Sequence, residues 1–296
     1  MRILLTGANG QLGCELVDQS RDSGIHVDAT DLPEIDIGRP AHARNAVVER
    51  RPDLVINAAA YTAVDQAEQE TDIAFQVNAH GPKHLAKACR AAGIPIIHIS
   101  TDYVFEGTRA TPYLEDDPLS PIGIYGISKA QGETFVRDIL DRHIIIRTSW
   151  LYGVYGHNFV KTMLRLAAQQ EEIKVVADQR GCPTSAADLA GAVLSVANQI
   201  GSGENSDWGT YHYCGKGETT WFEFAEAIFE RARTHTDLAV TRVVPISTAS
   251  FGAPAPRPAF SVLSCDRIRQ RFGIIQRPWI DSLDETITRI YSVTVE

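Results

Sequence analysis

Short aliphatic runs alternate with longer amphipathic stretches through the first half of the chain. Residues 2–5, 54–57, 96–100 and 144–148 are mostly apolar runs bounded by turn-forming residues, and the more polar 26–31 also fits a strand. Runs of this length and composition predict strands buried on both faces, as in a parallel sheet. Between them, residues 12–17, 41–50, 65–92 and 130–141 carry apolar positions at helical spacing, with an interruption near 78–82. Strand and helix alternate up to Thr148, which predicts an α/β fold with a Rossmann-type, doubly wound parallel sheet.

The pattern loosens after residue 150. Helices fit 158–170, 221–233, 264–272 and 278–291, another follows the capping stretch 185–188 and ends near 199, and strands fit 173–176 and 211–214. Residues 106–124, 178–184 and 201–209 are polar or turn-rich and predict loops. A loop as long as the first is often functional. The prolines of Pro254-Ala255-Pro256-Arg257-Pro258 hold that stretch extended. No internal repeat, low-complexity tract or linker is visible.

Composition narrows the functions. With 296 residues and a formal charge of −9, the chain is expected to bind neither nucleic acid nor a membrane surface. It has no apolar run long enough for a transmembrane helix, and Met1 leads directly into a strand without a signal-peptide pattern. Cys14, Cys89, Cys182, Cys214 and Cys265 form no C-x-x-C pair, so reduced thiols and a cytoplasmic setting are expected. His80 and His84 share a helical face but lack a third ligand, and no metal site is expected.

Candidate chemistry falls where strands end. Thr6-Gly7-Ala8-Asn9-Gly10-Gln11-Leu12-Gly13 is a G-x-x-G-x-x-G turn between the first strand and a helix. Its glycines permit a tight turn and close approach of a pyrophosphate to free helix N–H groups. Asp31 ends the second strand; it either accepts hydrogen bonds from an adenine ribose, which leans towards NADH, or simply ends the strand. Asp36 and Ile37, a short loop later, border the same region. The small residues of Ala58-Ala59-Ala60-Tyr61-Thr62 let a flat ligand lie against the backbone. Thr101 closes the fourth strand on the edge where ligands bind in open α/β sheets. Tyr125 and Lys129 stand four residues apart, one turn of a helix. An ammonium beside a phenol is expected to pull its pKa down; three units would take roughly 4 kcal/mol. Alone, Y-x-x-x-K is a common pattern that an exposed helix start also produces.

Taken in order, the glycine turn, Thr101 and Tyr125-x-x-x-Lys129 resemble the extended short-chain dehydrogenase/reductase superfamily. Within it, residues 3–13, 57–65, 100–105, 147–152, 158–163, 178–184 and Arg257-Pro258 are similar to the dTDP-4-dehydrorhamnose reductase family. The resemblance implies NADPH- or NADH-dependent reduction of the C4 ketone of a dTDP-sugar. It implies Tyr125 as proton donor, Lys129 as the group that tunes it and holds the nicotinamide ribose, and Thr101 as the group that orients the carbonyl. Gly7, Gly10, Gln11, Leu12 and Gly13 would meet the pyrophosphate. Asp31, Asp36 and Ile37 would lie by the adenosine, with Ala60, Tyr61, Thr62 and the backbone of Ile99 along the cleft. Asp102, Trp150 and Arg257 would meet the substrate. Trp150 either covers the sugar's apolar side or packs in the core between lobes. The resulting division is a dinucleotide-binding domain over 1–150, with later segments returning to it, and a smaller α/β substrate lobe over 151–296. Some members place Mg²⁺ at a dimer interface through glutamates. A second copy of the chain is thus a candidate partner. Glu15 matches one such position, but Ala187 stands where another carboxylate belongs, so the metal is not expected here.

Two other classes compete. Nucleotide-sugar epimerases and 4,6-dehydratases share the superfamily, but Thr101 is followed by Asp102-Tyr103 rather than the dehydratase Asp-Glu pair. The regulatory β subunit of methionine adenosyltransferase is similar yet acts by binding; the intact Thr101, Tyr125 and Lys129 set disfavours that reading.

Overall fold

The computed structural model describes residues 1–21, 24–203 and 207–293. The five predicted strands form within two residues of their expected ranges: β1 (Arg2–Thr6), β2 (His26–Thr30), β3 (Leu54–Asn57), β4 (Ile96–Thr101) and β5 (His143–Thr148). Ile3, Leu4, Leu5, Val55, Ile56, Ile96, Ile97, Ile144, Ile145 and Ile146 are all buried, because helices cover both faces. On one face Leu12 and Leu16 of helix Gln11–Ser20 pack with Leu189 and Val193 of helix Ala186–Ser202. On the other, Ala43 and Val47 of helix Pro40–Arg50 pack with Leu85 and Ala86 of helix Gly81–Ala92.

A sixth strand, Gly209–His212, completes the sheet beside β5, and the spatial order from that edge is β5, β4, β3, β1, β2. All pairings are parallel. The chain order reverses between β1 and β3, so a crevice opens outside the carboxyl ends of those two strands. The edge strand starts two residues before its apolar run, and Tyr213 already leaves the sheet, its N–H donating to Arg147 O at 2.9 Å.

Three expectations change. The helix read from residue 130 begins at Ile124, so Tyr125 and Lys129 lie in its first turns. The interruption near 78–82 is no break: helix Thr71–Phe75 widens into a π turn over Gln76–His80 and continues as Gly81–Ala92. Pro82, which lacks an N–H, falls where the new register starts and its missing donor costs little. Strand Arg242–Ile246 was not anticipated; it pairs in parallel with Glu172–Val176. It contains Pro245 and none of its residues is fully buried, so it has no apolar signature. This pair covers a second core of Tyr152, Val160, Phe224, Phe229 and Leu283. Of the expected loop 201–209, residues 204–206 lie outside those described.

Candidate active site

The glycine turn is sterically obligatory. Gly7 adopts φ +81°, and a Cβ there would lie 2.4 Å from the backbone nitrogen of Ala59. A Cβ on Gly13 would lie 2.1 Å from Gly7 O, so that glycine sets how closely the helix approaches the strand. Helix Gln11–Ser20 follows with Gly10 as its cap and no side chain bonded to its first N–H groups. These free donors and the positive end of the helix dipole suit a pyrophosphate. Leu12 itself is buried core, so it would contribute backbone only. The Gln11 side chain is held by Asn158, whose Nδ2 donates at 3.0 Å from the second half of the chain.

Asp31 serves the loop around it. Its carboxylate accepts the N–H of Asn9 at 2.9 Å and of Leu32 at 2.7 Å, locking the glycine turn to the end of β2. A cavity of about 510 Å³ beside it is lined by Asp18, Asp31, Glu34, Cys14 and Tyr155 among others. Among the described residues the one lining cation, Arg21, is paired with Asp18 at 3.2 Å. A 2′-phosphate would meet mainly negative charge there. Asp36 and Ile37 are less available: Asp36 accepts the N–H of Gly38 and pairs with Arg39, and the buried Ile37 packs against Gly81.

The three proposed catalytic side chains converge on the same edge of the sheet. Tyr125 and Lys129 come from helix Ile124–Ile139, and Thr101 ends β4. Thr101 hydrogen-bonds Tyr125, and its hydroxyl donates to Asp102 Oδ1 at 3.0 Å. Its single proton is therefore contested between Asp102 and the Tyr125 oxygen. Burial pushes the Asp102 carboxyl up to about 6 and the Tyr125 phenol up to about 12; the Thr101 hydroxyl pulls the phenol down without overcoming burial. The expected lowering of Tyr125 by Lys129 is thus reversed. The reason is visible: Lys129 Nζ donates to Ile99 O at 2.7 Å rather than to the phenol. Burial lowers Lys129 to about 8, opposed by the Glu133 carboxylate.

Residues the sequence reading passed over hold this cluster. The π turn presents the buried Asn78, whose Oδ1 accepts Tyr61 N–H at 2.8 Å and whose Nδ2 donates to Tyr61 O and Ser128 Oγ. It ties the cleft segment Ala60-Tyr61-Thr62 to the Tyr125 helix. Ala60 and Tyr61 are half-buried and Thr62 is exposed. Asn57 accepts from Thr6 Oγ1 and meets His98 Nδ1 at 3.1 Å, joining the tips of β1, β3 and β4. A buried polar residue in an otherwise aliphatic strand was the available signal.

In the second half, Trp150 has φ +46°, a strained conformation for so large a side chain. Its ring stacks on Trp221 at 3.5 Å and 7°, and a Cβ on Gly181 would strike it at 2.5 Å. The packing reading holds in part: one face lies against Trp221, and the residue is not fully buried. Arg257 is also engaged, donating to Asp65 Oδ2 at 2.9 Å.

The glutamate-bound metal implied by the resemblance does not fit. Glu15 is buried and accepts from Arg289 Nη1 at 2.9 Å, so a guanidinium already supplies the positive charge. The neighbouring Asp188 pairs with Arg277 at 3.0 Å. Among the described residues no group of three acidic, His or Cys side chains is placed to hold a metal.

The glycine cradle at the switch point and the Thr101–Tyr125–Lys129 cluster define a dinucleotide-binding oxidoreductase of the extended short-chain dehydrogenase/reductase type. A family model described as RmlD substrate binding domain matches residues 1–292, and the chain belongs to that family, which includes the dTDP-4-dehydrorhamnose reductases. It is 42% identical over 283 residues to the dTDP-4-dehydrorhamnose reductase of Sinorhizobium fredii, covering 95% of both chains. A dTDP-4-dehydrorhamnose reductase structure from Clostridium acetobutylicum matches with a TM-score of 0.92 and 42% identity, over 98% of this chain and 99% of that one. Another, from Bacillus anthracis in complex with NADP, matches with a TM-score of 0.90 and 42% identity, over 97% and 99%. No described helix is long and apolar enough to cross a membrane.

Proposed function

We propose that the protein reduces the C4 ketone of dTDP-4-dehydro-L-rhamnose to dTDP-L-rhamnose with NADPH or NADH, the last step in making that sugar nucleotide. The carrying observation is the convergence of Thr101, Tyr125 and Lys129 beside an uncapped, glycine-lined helix start. The nicotinamide, when bound, supplies the hydride. Tyr125 keeps its proton at neutral pH because burial holds the phenol near 12. It gives that proton to the carbonyl oxygen as negative charge builds there, since a secondary alkoxide is more basic than the phenolate. The Thr101 hydroxyl, released from Asp102, steadies the same oxygen, which favours the transition state over the ground state. Lys129 is mostly cationic below about 8 and is placed to hold a ribose and offset the phenolate left behind.

Substrate grip belongs to the second half in this reading, with residues 1–150 holding the dinucleotide and 151–296 mainly the sugar nucleotide. Trp150 covers the deoxy-sugar, the buried Asp102 acts on the substrate through the Thr101 hydroxyl, and Arg257 pairs with the diphosphate. The acidic cavity at Asp31 supports use of NADH alongside NADPH. A homodimer and a cytosolic location complete the proposal; the free thiols suit the latter. The test is spectrophotometric: purified protein and the enzymatically prepared keto-sugar nucleotide should consume reduced cofactor in proportion to dTDP-L-rhamnose formed. Absence of consumption with either cofactor would remove the proposal and leave a binding subunit as the reading.

A further inference from the structure

One short helix touches both halves of the proposed reaction. Helix Val64–Ala67 carries Asp65, and Glu68 follows at its end. Glu68 Oε1 accepts the N–H of Ile124 at 2.8 Å, the first residue of the helix that bears Tyr125. That helix is capped by Gly123, which has no side chain to satisfy its first donors, so a carboxylate from 56 residues away does so. Gly123 itself is held between Glu68 and Pro256, which a Cβ there would meet at 3.0 and 3.4 Å.

Three residues earlier, Asp65 takes the other side. Its Oδ2 accepts from Arg257 Nη2 at 2.9 Å, and its Oδ1 accepts the N–H of Ala255 at 3.2 Å. Arg257 Nη1 donates to Ala255 O at 3.0 Å, so the guanidinium is fixed at two points. A guanidinium has five N–H donors, and this arrangement leaves others for a ligand. Arg257 also lies within electrostatic reach of Tyr103, whose ring meets the edge of Tyr125 at 5.4 Å and 76°. The Pro-rich segment, Asp65, Glu68, Tyr103 and Tyr125 therefore form one contiguous set.

We infer that Asp65 and Glu68 are paired positioning residues: Asp65 pre-orients Arg257 for the substrate diphosphate, and Glu68 fixes the helix start that places the Tyr125 hydroxyl. The inference rests on Arg257 as diphosphate ligand and Tyr125 as proton donor. Both carboxylates sit on one short helix, so substrate grip and proton donation share a rigid reference. A fixed guanidinium loses less rotamer freedom on binding than a free one.

The test is a split between KM and kcat in the complete enzyme. Asp65→Asn should raise both KM for the keto-sugar nucleotide and the Kd for dTDP about tenfold with kcat near normal, and Asp65→Glu should recover part of the loss. Glu68→Ala should lower kcat about tenfold with KM and the dTDP Kd near normal. Glu68→Gln, which keeps an acceptor oxygen for Ile124 N–H, should restore kcat. If both variants change kcat and KM together, or neither changes either, the inference is overturned. Should an alanine or asparagine variant melt early, the Glu and Gln replacements still decide the matter. Arg257→Ala separates the underlying reading: unchanged dTDP binding there removes Arg257 as ligand, whereas weakened binding there with a normal Asp65→Asn removes only the inference.

Discussion

The glycine turn and the Trp150 wall, to which the proposed function gives the cofactor and the sugar, are built in opposite ways. The turn is made by neighbours in sequence: Gly7, Gly10 and Gly13 shape a backbone that offers N–H groups, and Asp31 braces it through Asn9 and Leu32. The wall is made by partners far apart: Trp150 on Trp221, Gly181 beneath its ring, Arg257 on Asp65. A backbone cradle recognises what all dinucleotides share. A wall of distant side chains can be altered piece by piece, which suits discrimination between sugars.

The comparison breaks most visibly at the junction of the two. Tyr125→Phe removes only the proton donor and should lower kcat by about two to four orders of magnitude, with cofactor affinity near normal. Near-normal turnover would show that the cleft works without this phenol. Next in size is the effect of pH. Lys129 is held down at about 8 by burial, so its charge is present below that value and lost as pH rises through it. The kcat/KM profile for the reduced cofactor, which reports the free enzyme's groups, should bend near pH 8 and fall about tenfold per unit above it. Lys129→Ala should abolish the bend along with most of the activity; an unmoved bend in that variant would assign it to another group.

The wall itself is probed through Gly181. Gly181→Val drives a side chain into the Trp150 ring and should weaken dTDP-L-rhamnose binding about tenfold while dinucleotide binding stays within about twofold. Equal loss for both ligands would mean that the two regions are not separable. The smallest effect is expected at the turn. Asp31→Asn keeps an acceptor for one of the two neighbouring N–H groups, removes the charge, and should shift preference towards NADPH by about fivefold. Unchanged relative affinities would show that Asp31 braces the loop without reading the ribose.

The same contrast explains how much of the molecule was legible in its sequence. β1, β3, β4 and β5 follow from their aliphatic runs, and the glycine turn, Thr101, Tyr125 and Lys129 follow from their places at strand ends and helix starts. Strand Arg242–Ile246 escaped because half-exposed positions and Pro245 leave no pattern to read. Spacing put Lys129 beside Tyr125, but only the fold shows its ammonium on the carbonyl of Ile99, and so that the phenol is raised. Asn78 was visible only as an irregularity near 78–82; its role appears once the π turn brings it to Tyr61 and Ser128. Trp150 and Arg257 were singled out, yet Trp221 and Asp65, which hold them, lie 71 and 192 residues away and give no local signal.

The central claim is that this cleft moves a hydride to C4 of a dTDP-sugar and a proton to its oxygen. The most direct measurement supplies reduced cofactor carrying deuterium at both nicotinamide C4 positions together with dTDP-4-dehydro-L-rhamnose and follows the label by NMR. The account predicts deuterium at C4 of dTDP-L-rhamnose, one label per cofactor oxidised, and no transfer in Tyr125→Phe on the same timescale. Cofactor oxidised without deuterium entering the sugar, or deuterium at any other sugar carbon, would contradict it.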